Sequence, residues 1–400
     1  MSVWDDLVGQ DQVVEQLVGA ARAARAVAAG EASPAEASGM THAWLFTGPP
    51  GSGRATAARA FAAALQCTSP DLELGGVPGC GFCDGCHTTL VGSHADVNVV
   101  SVEKLSIGVG ETREMVRGAS MFPSGGRWQV ILLEDADRLT EQAANAVLKA
   151  VEEPSPRTVW LLCAPSVDDL LPTIRSRCRL LVLRTPSVPA VEDMLLRRDG
   201  VDPVMASFAA RASQGHIDRA RRLAQDPEAR ARREEVLRLP LRVADLGACL
   251  AAAQRLVDAA EEDAKQVTEE LDAKETEELR AALGAASGAG GRMPRGTAGA
   301  MKDLEDRQKS RAKRLVRESL DLALLDLAGY YRDVLALQFG VQGELANEEQ
   351  RASLSRVAQT SSPETTLRRI EAILACREAI DRNVAPLLAL EAMTTTLRAA

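Results

Sequence analysis

The sequence predicts an α/β chain whose first half is a parallel sheet and whose second half is all helical. Three observations carry this. Short apolar runs alternate with helix-length patterns up to about residue 184, as strands joined by crossover helices require. The first of those runs leads directly into a glycine-rich loop and then a helix. After Thr185-Pro186-Ser187 the periodicity is helical, with no convincing strand. With 400 residues, 46% of them apolar, the chain exceeds one core of ordinary size, so two or three domains are expected. Aromatics make up only 3%, which favours helical packing of small and aliphatic side chains.

Five strands are expected, at Ala43–Thr47, Val97–Val102, Gln129–Leu133, Val159–Cys163 and Leu180–Leu183. Ala57–Gln66 continues the glycine loop as a helix with Phe61 and Leu65 on one face. Beyond the break at Thr185, a small helical unit spans about Val188 to Asp226. Ala260–Leu283 reads as a charge-laced helix, and Gly284–Ala300, rich in Gly and Ala, as a flexible connection. Ser319–Leu337 and Thr366–Leu397 resume amphipathic helix. The N-terminus has no basic head followed by an apolar run, and no segment approaches ~18 uninterrupted apolar residues, so a soluble cytoplasmic protein is expected. The net charge of −9 counts against a protein that coats nucleic acid by bulk electrostatics.

The loop Gly48 to Ala55, GPPGSGRA, has the glycine frame of a phosphate-binding P-loop, G-x-x-x-x-G-K-[ST]. Gly48, Gly51 and Gly53 let several amides converge on an anion, helped by the helix N-terminus that follows. Arg54 stands where the motif has Lys, with a bulkier planar head, and Ala55 stands where a hydroxyl would hold Mg²⁺. The frame alone suits either a phosphate cradle or a plain strand-to-helix turn. The run VILLEDADRL, Val130 to Leu139, looks like a Walker B strand with its two acids in reversed order, Glu134 then Asp135. Exchanging side-chain lengths moves both carboxylates by about an ångström or more, which a site built on positioning tolerates poorly.

In a reducing setting the eight cysteines are poor disulfide candidates, and a tight group among them points elsewhere. Cys80, Cys83 and Cys86, in PGCGFCDGC, have zinc-ligand spacing, and Cys67 completes four thiols; the long gap from Cys67 to Cys80 leaves His87 and His94 as alternative fourth ligands. Four protein ligands leave no open position, so such a zinc is structural. In LLPTIRSRCRL, Leu170 to Leu180, the triplet Ser176-Arg177-Cys178 places an arginine at the end of a short helix, either a surface cation or a group that stabilises phosphate charge in a neighbouring subunit.

Together these motifs resemble the clamp-loader branch of the AAA+ ATPases. Val8-Gly9-Gln10 is similar to that family's N-terminal box near adenine, the stretch Asn145 to Pro154 (NAVLKAVEEP) to its NALLKxLEEP signature, and Ser176-Arg177-Cys178 to its SRC motif. The matches run in the family's order over about residues 1–225. Two further positions depart from the motor subunits: Asp218, in GHIDRA, occupies the sensor 2 arginine position, with Arg219 beside it, and Ser166 occupies the sensor 1 region. The resemblance implies three domains. Residues 1–184 would form a RecA-like AAA+ module with the zinc module at about 67–95, residues 185–228 a helical lid, and residues 229–400 a helical collar for oligomerisation.

The resemblance further implies a subunit that does not itself hydrolyse ATP and that supplies Arg177 across an interface as an arginine finger. Gly48, Gly51, Gly53, Arg54, Glu134 and Asp135 would then line an altered nucleotide site, in which the changed residues count against ATP and Mg²⁺ binding. Implied partners are the gamma/tau and delta subunits of a hetero-pentamer and, through the complex, a sliding clamp and primed DNA; any polymerase activity belongs to the holoenzyme. An ATP-hydrolysing gamma/tau-type motor subunit is the competing reading. A zinc-dependent DNA-binding module is a third, which the acidic balance disfavours.

Overall fold

The computed structural model describes residues 2–30, 39–100, 106–125, 127–283, 298–341 and 343–399. They pack as two compact units, Met1–Ala224 and Gln225–Ala400. The first contains α1 (Asp11–Ala29), β1 (Ala43–Thr47), α2 (Arg54–Leu65), α3 (Asp84–Leu90), β2 (Val97–Val100), α4 (Val109–Ala119), β3 (Gln129–Leu133), α5 (Glu141–Glu152), β4 (Thr158–Ala164), α6 (Pro172–Arg175), β5 (Arg179–Val182), α7 (Val188–Arg197), α8 (Pro203–Ser213) and α9 (Ile217–Gln225).

All described strand pairings are parallel, in the order β2-β3-β4-β1-β5. Strands covered on both faces carry no polar alternation, and β1, β3 and β4 are buried at every position. Period-2 geometry divides their side chains between two cores. Trp44, Phe46, Val130, Leu132, Val159 and Leu161 pack with Phe61 and α1, while Leu45, Ile131, Leu133, Trp160 and Leu162 pack with Met115, Val147 and Val151 of α4 and α5. Trp44 meets Phe61 edge-on at 5.1 Å, and the Arg179 guanidinium lies 5.0 Å from the Trp44 ring centroid. β5 is an edge strand, which leaves Leu180 and Val182 exposed.

The glycine loop follows β1, whose neighbours are β4 and β5. Its first amide, Gly48 N, donates to Pro165 O at 3.2 Å, so the loop sits at the carboxyl edge of the sheet, where open parallel sheets bind ligands.

The five expected strands are present with shifted ends. β4 gains Thr158 and Ala164, β5 runs Arg179–Val182, and β2 is described as Val97–Val100, residues 101–105 lying outside the described chain. Helix α2 begins at Arg54 rather than Ala57, because Gly53 takes the left-handed conformation immediately before it (φ 85°) and Arg-Ala-Thr-Ala enters helical geometry at once.

The second unit holds α10 (Pro227–Leu237), α11 (Leu246–Ala282), α12 (Ala298–Gln338), α13 (Arg351–Thr360), α14 (Pro363–Asp381) and α15 (Pro386–Ala399). Leu320, Leu324, Leu327, Tyr331 and Val334, three or four residues apart, form the buried stripe of α12, which packs against α11, α13 and α14. The expected single helix Thr366–Leu397 is two: it stops at Asp381, Asn383 takes φ 67°, and Pro386 opens the next. The expected flexible segment Gly284–Ala300 lies outside the described residues except at 298–300, which already belong to α12; one glycine in a helix's first turn costs only about 1 kcal/mol.

Within this unit Arg233 is buried and braced from three sides. Nε meets Asp326 at 3.1 Å, Nη1 meets Glu349 at 2.7 Å, and Nη2 donates to Asn347 Oδ1. Asn347 in turn donates twice to buried Asp333 at 2.8 Å. Further along the α11–α12 pair, Arg311 is held by Asp272 and Glu275.

Candidate functional site

Strand β1 delivers the glycine loop, β3 delivers the two acids, and α6 delivers the arginine triplet. Gly51 adopts φ 81°, and a Cβ there would lie 2.6 Å from ring atoms of His216. The imidazole of His216, one residue before α9, therefore rests on the loop where the glycine makes room for it. From the other side Arg54 folds back and Nη1 donates to the carbonyl of Gly48. The guanidinium charge that a P-loop lysine would extend to phosphate is thus turned onto the loop's own backbone. Ser52 Oγ is buried beneath the loop and, among the described residues, has no hydrogen-bond partner.

The neighbouring positions are engaged as well. Gln10, 5% exposed, donates through Nε2 to Arg184 O and to Ser52 O (3.5 Å), while its Oε1 accepts from Arg184 N at 3.3 Å. Its amide ties the N-terminal box to the end of β5 and the glycine loop. Glu134, at the end of β3, pairs with Arg59 Nε of α2 at 2.7 Å; Asp135 is half-buried beside it. Burial pushes the nearby Asp137 carboxyl above its usual range, with Asp135 adding to the effect. Ser166 caps the turn Val167–Asp169, its hydroxyl accepting from Asp168 N at 3.3 Å and its amide donating to Asp169 at 2.7 Å. At the sensor 2 position Asp218 is exposed, and Arg219 is buried.

Arg177 lies just past α6. Nη1 donates to Thr173 O at 2.8 Å and to Ser176 Oγ at 3.2 Å, and Nη2 meets Glu152 at 2.6 Å. Its side chain is 40% exposed, whereas the adjacent Cys178 packs against the core beneath α5. The triplet thus has an anchor, a hydroxyl brace and an accessible cation.

The four cysteines converge. The Sγ atoms of Cys67, Cys80, Cys83 and Cys86 all lie within 4.8 Å of one another, and Cys83 and Cys67 are 3.8 Å apart. A tetrahedral zinc with bonds of about 2.3 Å sets its sulfurs about 3.8 Å apart, so the set fits the ion. The long gap after Cys67 is closed by a 3₁₀ turn, Pro70–Leu74, and Cys83 stands immediately before α3. Gly85 lets α3 approach α2 closely, since a Cβ there would fall 1.9 Å from Gln66 O. His87 is exposed, and His94 Nδ1 accepts the Asp96 amide at 3.1 Å; neither joins the thiol group.

Hydrogen bonds within the group split the four thiols. A hydrogen bond from Cys86 holds Cys67 down to about 4, and the same bond, with burial, pushes Cys86 far up. Burial raises Cys80; for Cys83 burial acts in the same direction but is outweighed by hydrogen bonds from Thr68, whose amide donates to Cys83 Sγ at 3.2 Å. The module is tied to the N-terminus, with Trp4 Nε1 donating to Pro78 O at 2.8 Å and Val3 N to Gly79 O at 2.9 Å.

Sequence reasoning located every residue named above except the partners. His216, Arg59 and Glu152 were not singled out as site residues, although Glu152 lay within the quoted NAVLKAVEEP signature and His216 within the quoted GHIDRA. Nothing local marks an imidazole as the occupant of a distant glycine's space.

The model of the family described as DNA polymerase III, delta subunit, matches residues 32–187, and the model of its C-terminal region matches 317–397; together they cover more than half of the chain. Among curated relatives, DNA polymerase III subunit delta′ of Pseudomonas aeruginosa is 36% identical over 167 residues, 41% of this chain and 50% of that protein. The Bacillus subtilis subunit delta′ is 32% identical over 200 residues, 50% and 59% respectively. Subunit gamma/tau of Mycobacterium tuberculosis is 30% identical over 218 residues, 52% and 34%. The aligned regions thus span about half the length of the delta′ relatives. A gamma subunit-related protein from Thermotoga maritima superposes over 89% of the chain and 94% of its own, at 15% identity and a TM-score of 0.38. No described helix is long and apolar enough to cross a membrane. With family matches in both compact units and delta′ proteins of two distant bacteria among its relatives, the chain belongs to the delta′ group of DNA polymerase III clamp-loader subunits.

Proposed function

We propose that the chain is the non-hydrolysing, delta′-type subunit of a bacterial DNA polymerase III clamp loader, and that it acts by presenting Arg177 to the nucleotide site of a neighbouring subunit. One contrast carries the reading. In the chain's own P-loop Arg54 is turned back onto Gly48 and His216 rests against Gly51, whereas Arg177 stands braced and accessible. Ala55 offers no hydroxyl for Mg²⁺, Arg59 neutralises Glu134, and Asp218 puts a carboxylate where phosphate would need a cation. None of these groups fits Mg²⁺·ATP. Arg177, by contrast, can stabilise charge on a transferring phosphoryl group, the task of an arginine finger.

On this reading residues 1–184 are the AAA+ module, 185–228 the lid and 229–400 the collar, in a hetero-pentamer with gamma/tau and delta subunits that places a sliding clamp on primed DNA. Cys67, Cys80, Cys83 and Cys86 hold a structural zinc. The match to gamma/tau favours a second reading, an ATP-hydrolysing motor subunit. Steady-state ATP turnover separates them. The purified chain alone is expected to hydrolyse no ATP above background, and Arg177→Ala to slow hydrolysis by the reconstituted complex by about 10³-fold. Turnover by the chain alone near ~1 s⁻¹, abolished by Asp135→Asn, would establish the motor reading instead.

A further inference from the structure

The guanidinium of Arg177 is held by more than its own turn. Glu152 is the last residue of α5, and its Oε1 lies 2.6 Å from Arg177 Nη2, both side chains being somewhat over a third exposed. Thr173 O, which accepts from Nη1, belongs to α6. The arginine head therefore gathers a carboxylate at the carboxyl end of one helix and a carbonyl from another, where backbone partial charge is negative and a cation is favoured. A carboxylate at that end of α5 is unfavourable to its own helix, so Glu152 has no local role that explains its placement. The pair joins the end of the NAVLKAVEEP helix to the SRC turn.

We infer that Glu152 is a positioning residue for Arg177, fixing the guanidinium in one orientation before the neighbouring subunit's nucleotide arrives. This rests on the arginine-finger reading above. An unbraced arginine samples many rotamers and loses that freedom on engaging phosphate; a planar head already held in place loses less. The three contacts take part of the five N–H bonds a guanidinium carries, so donors remain for phosphate oxygens. The half-exposed setting keeps the ion pair weak enough to yield to a more highly charged partner.

The test is ATP turnover by the complex reconstituted with Glu152→Gln, which keeps the shape and removes the charge, beside Arg177→Ala and the double variant. Glu152→Gln is expected to lower kcat by about three- to fivefold, with the KM for ATP and the amount of complex formed unchanged, and to have no effect on the Arg177→Ala background. A merely structural role would lower complex formation and add to Arg177→Ala. Arg177→Ala without effect would overturn the finger reading itself. Arg177→Ala slow but Glu152→Gln equal to wild type would overturn only the positioning role, and Glu152→Gln faster than wild type would show that the carboxylate holds the arginine back.

Discussion

At the scale of single residues, the glycine loop shows how one position constrains another far away in sequence. Gly51 is left-handed and stands against His216, so any side chain at 51 meets both a strained backbone and an occupied space. Restoring the motif's chemistry alone does not clear that space. The double variant Arg54→Lys/Ala55→Thr is expected to remain without measurable ATP affinity by calorimetric titration. Adding His216→Ala is expected to tighten binding by at least about tenfold, since an apolar or polar ligand cannot share close-packed volume with an imidazole. Micromolar binding by the double variant would show that His216 gives way. The substitutions at 54, 55, 134, 135 and 218 were legible because each sits in a motif whose chemistry fixes what the residue must be. The inward turn of Arg54 and the seat of His216 were not, because the first is a choice of rotamer within the loop and the second a tertiary contact with a residue far along the chain.

Among elements, the four-cysteine module and the strand ends show the limits of one-dimensional reading. Cys80, Cys83 and Cys86 announced themselves by spacing, and Cys67 was read as the fourth thiol with His87 and His94 as alternatives; only the fold, with the turn Pro70–Leu74 closing the gap, brings Cys67 and neither histidine to the group. The module joins α2 to α3 and ties the N-terminal residues through Trp4 and Val3, so its loss should be felt beyond the ligands. Cys80→Ser is expected to release zinc from a freshly purified chain, as metal analysis would show, and to lower the thermal midpoint by several degrees. A chain that keeps a full equivalent of metal after this change uses another ligand. The strands were readable since apolar runs in a doubly covered sheet have little else to be. The edge strand β5 slipped by one residue because its burial, confined to Leu181, gives no register signal on the exposed side.

For the whole molecule, two compact units with no shared core predict two separable stabilities. The core around Trp44, Phe46 and Phe61 belongs to the first unit and that around Leu324, Leu327 and Tyr331 to the second. Arg233 is the polar centre of the second, and removing one partner of a buried ion pair costs about 3–5 kcal/mol. Asp326→Ala is therefore expected to lower one calorimetric transition and leave a second where it was; a single transition that moves as a whole would mean that the units unfold together. The three-part division is what the resemblance implies, whereas the two compact units mark where packing is continuous, and α7, α8 and α9 up to Ala224 fall with the sheet. The grip of Arg311 in α12 on Asp272 and Glu275 in α11 could not be read from either helix alone.

The filled glycine loop has one more consequence. A protein whose cleft is completed by a ligand draws part of its folding free energy from that ligand, and so its stability and shape follow the ligand's concentration. Here two side chains of the same polypeptide take that place, always present at fixed stoichiometry. On the proposed reading the first unit is thereby uncoupled from the adenylate energy charge of the cell, and would hold the same shape through every turnover of the subunits proposed to stand beside it.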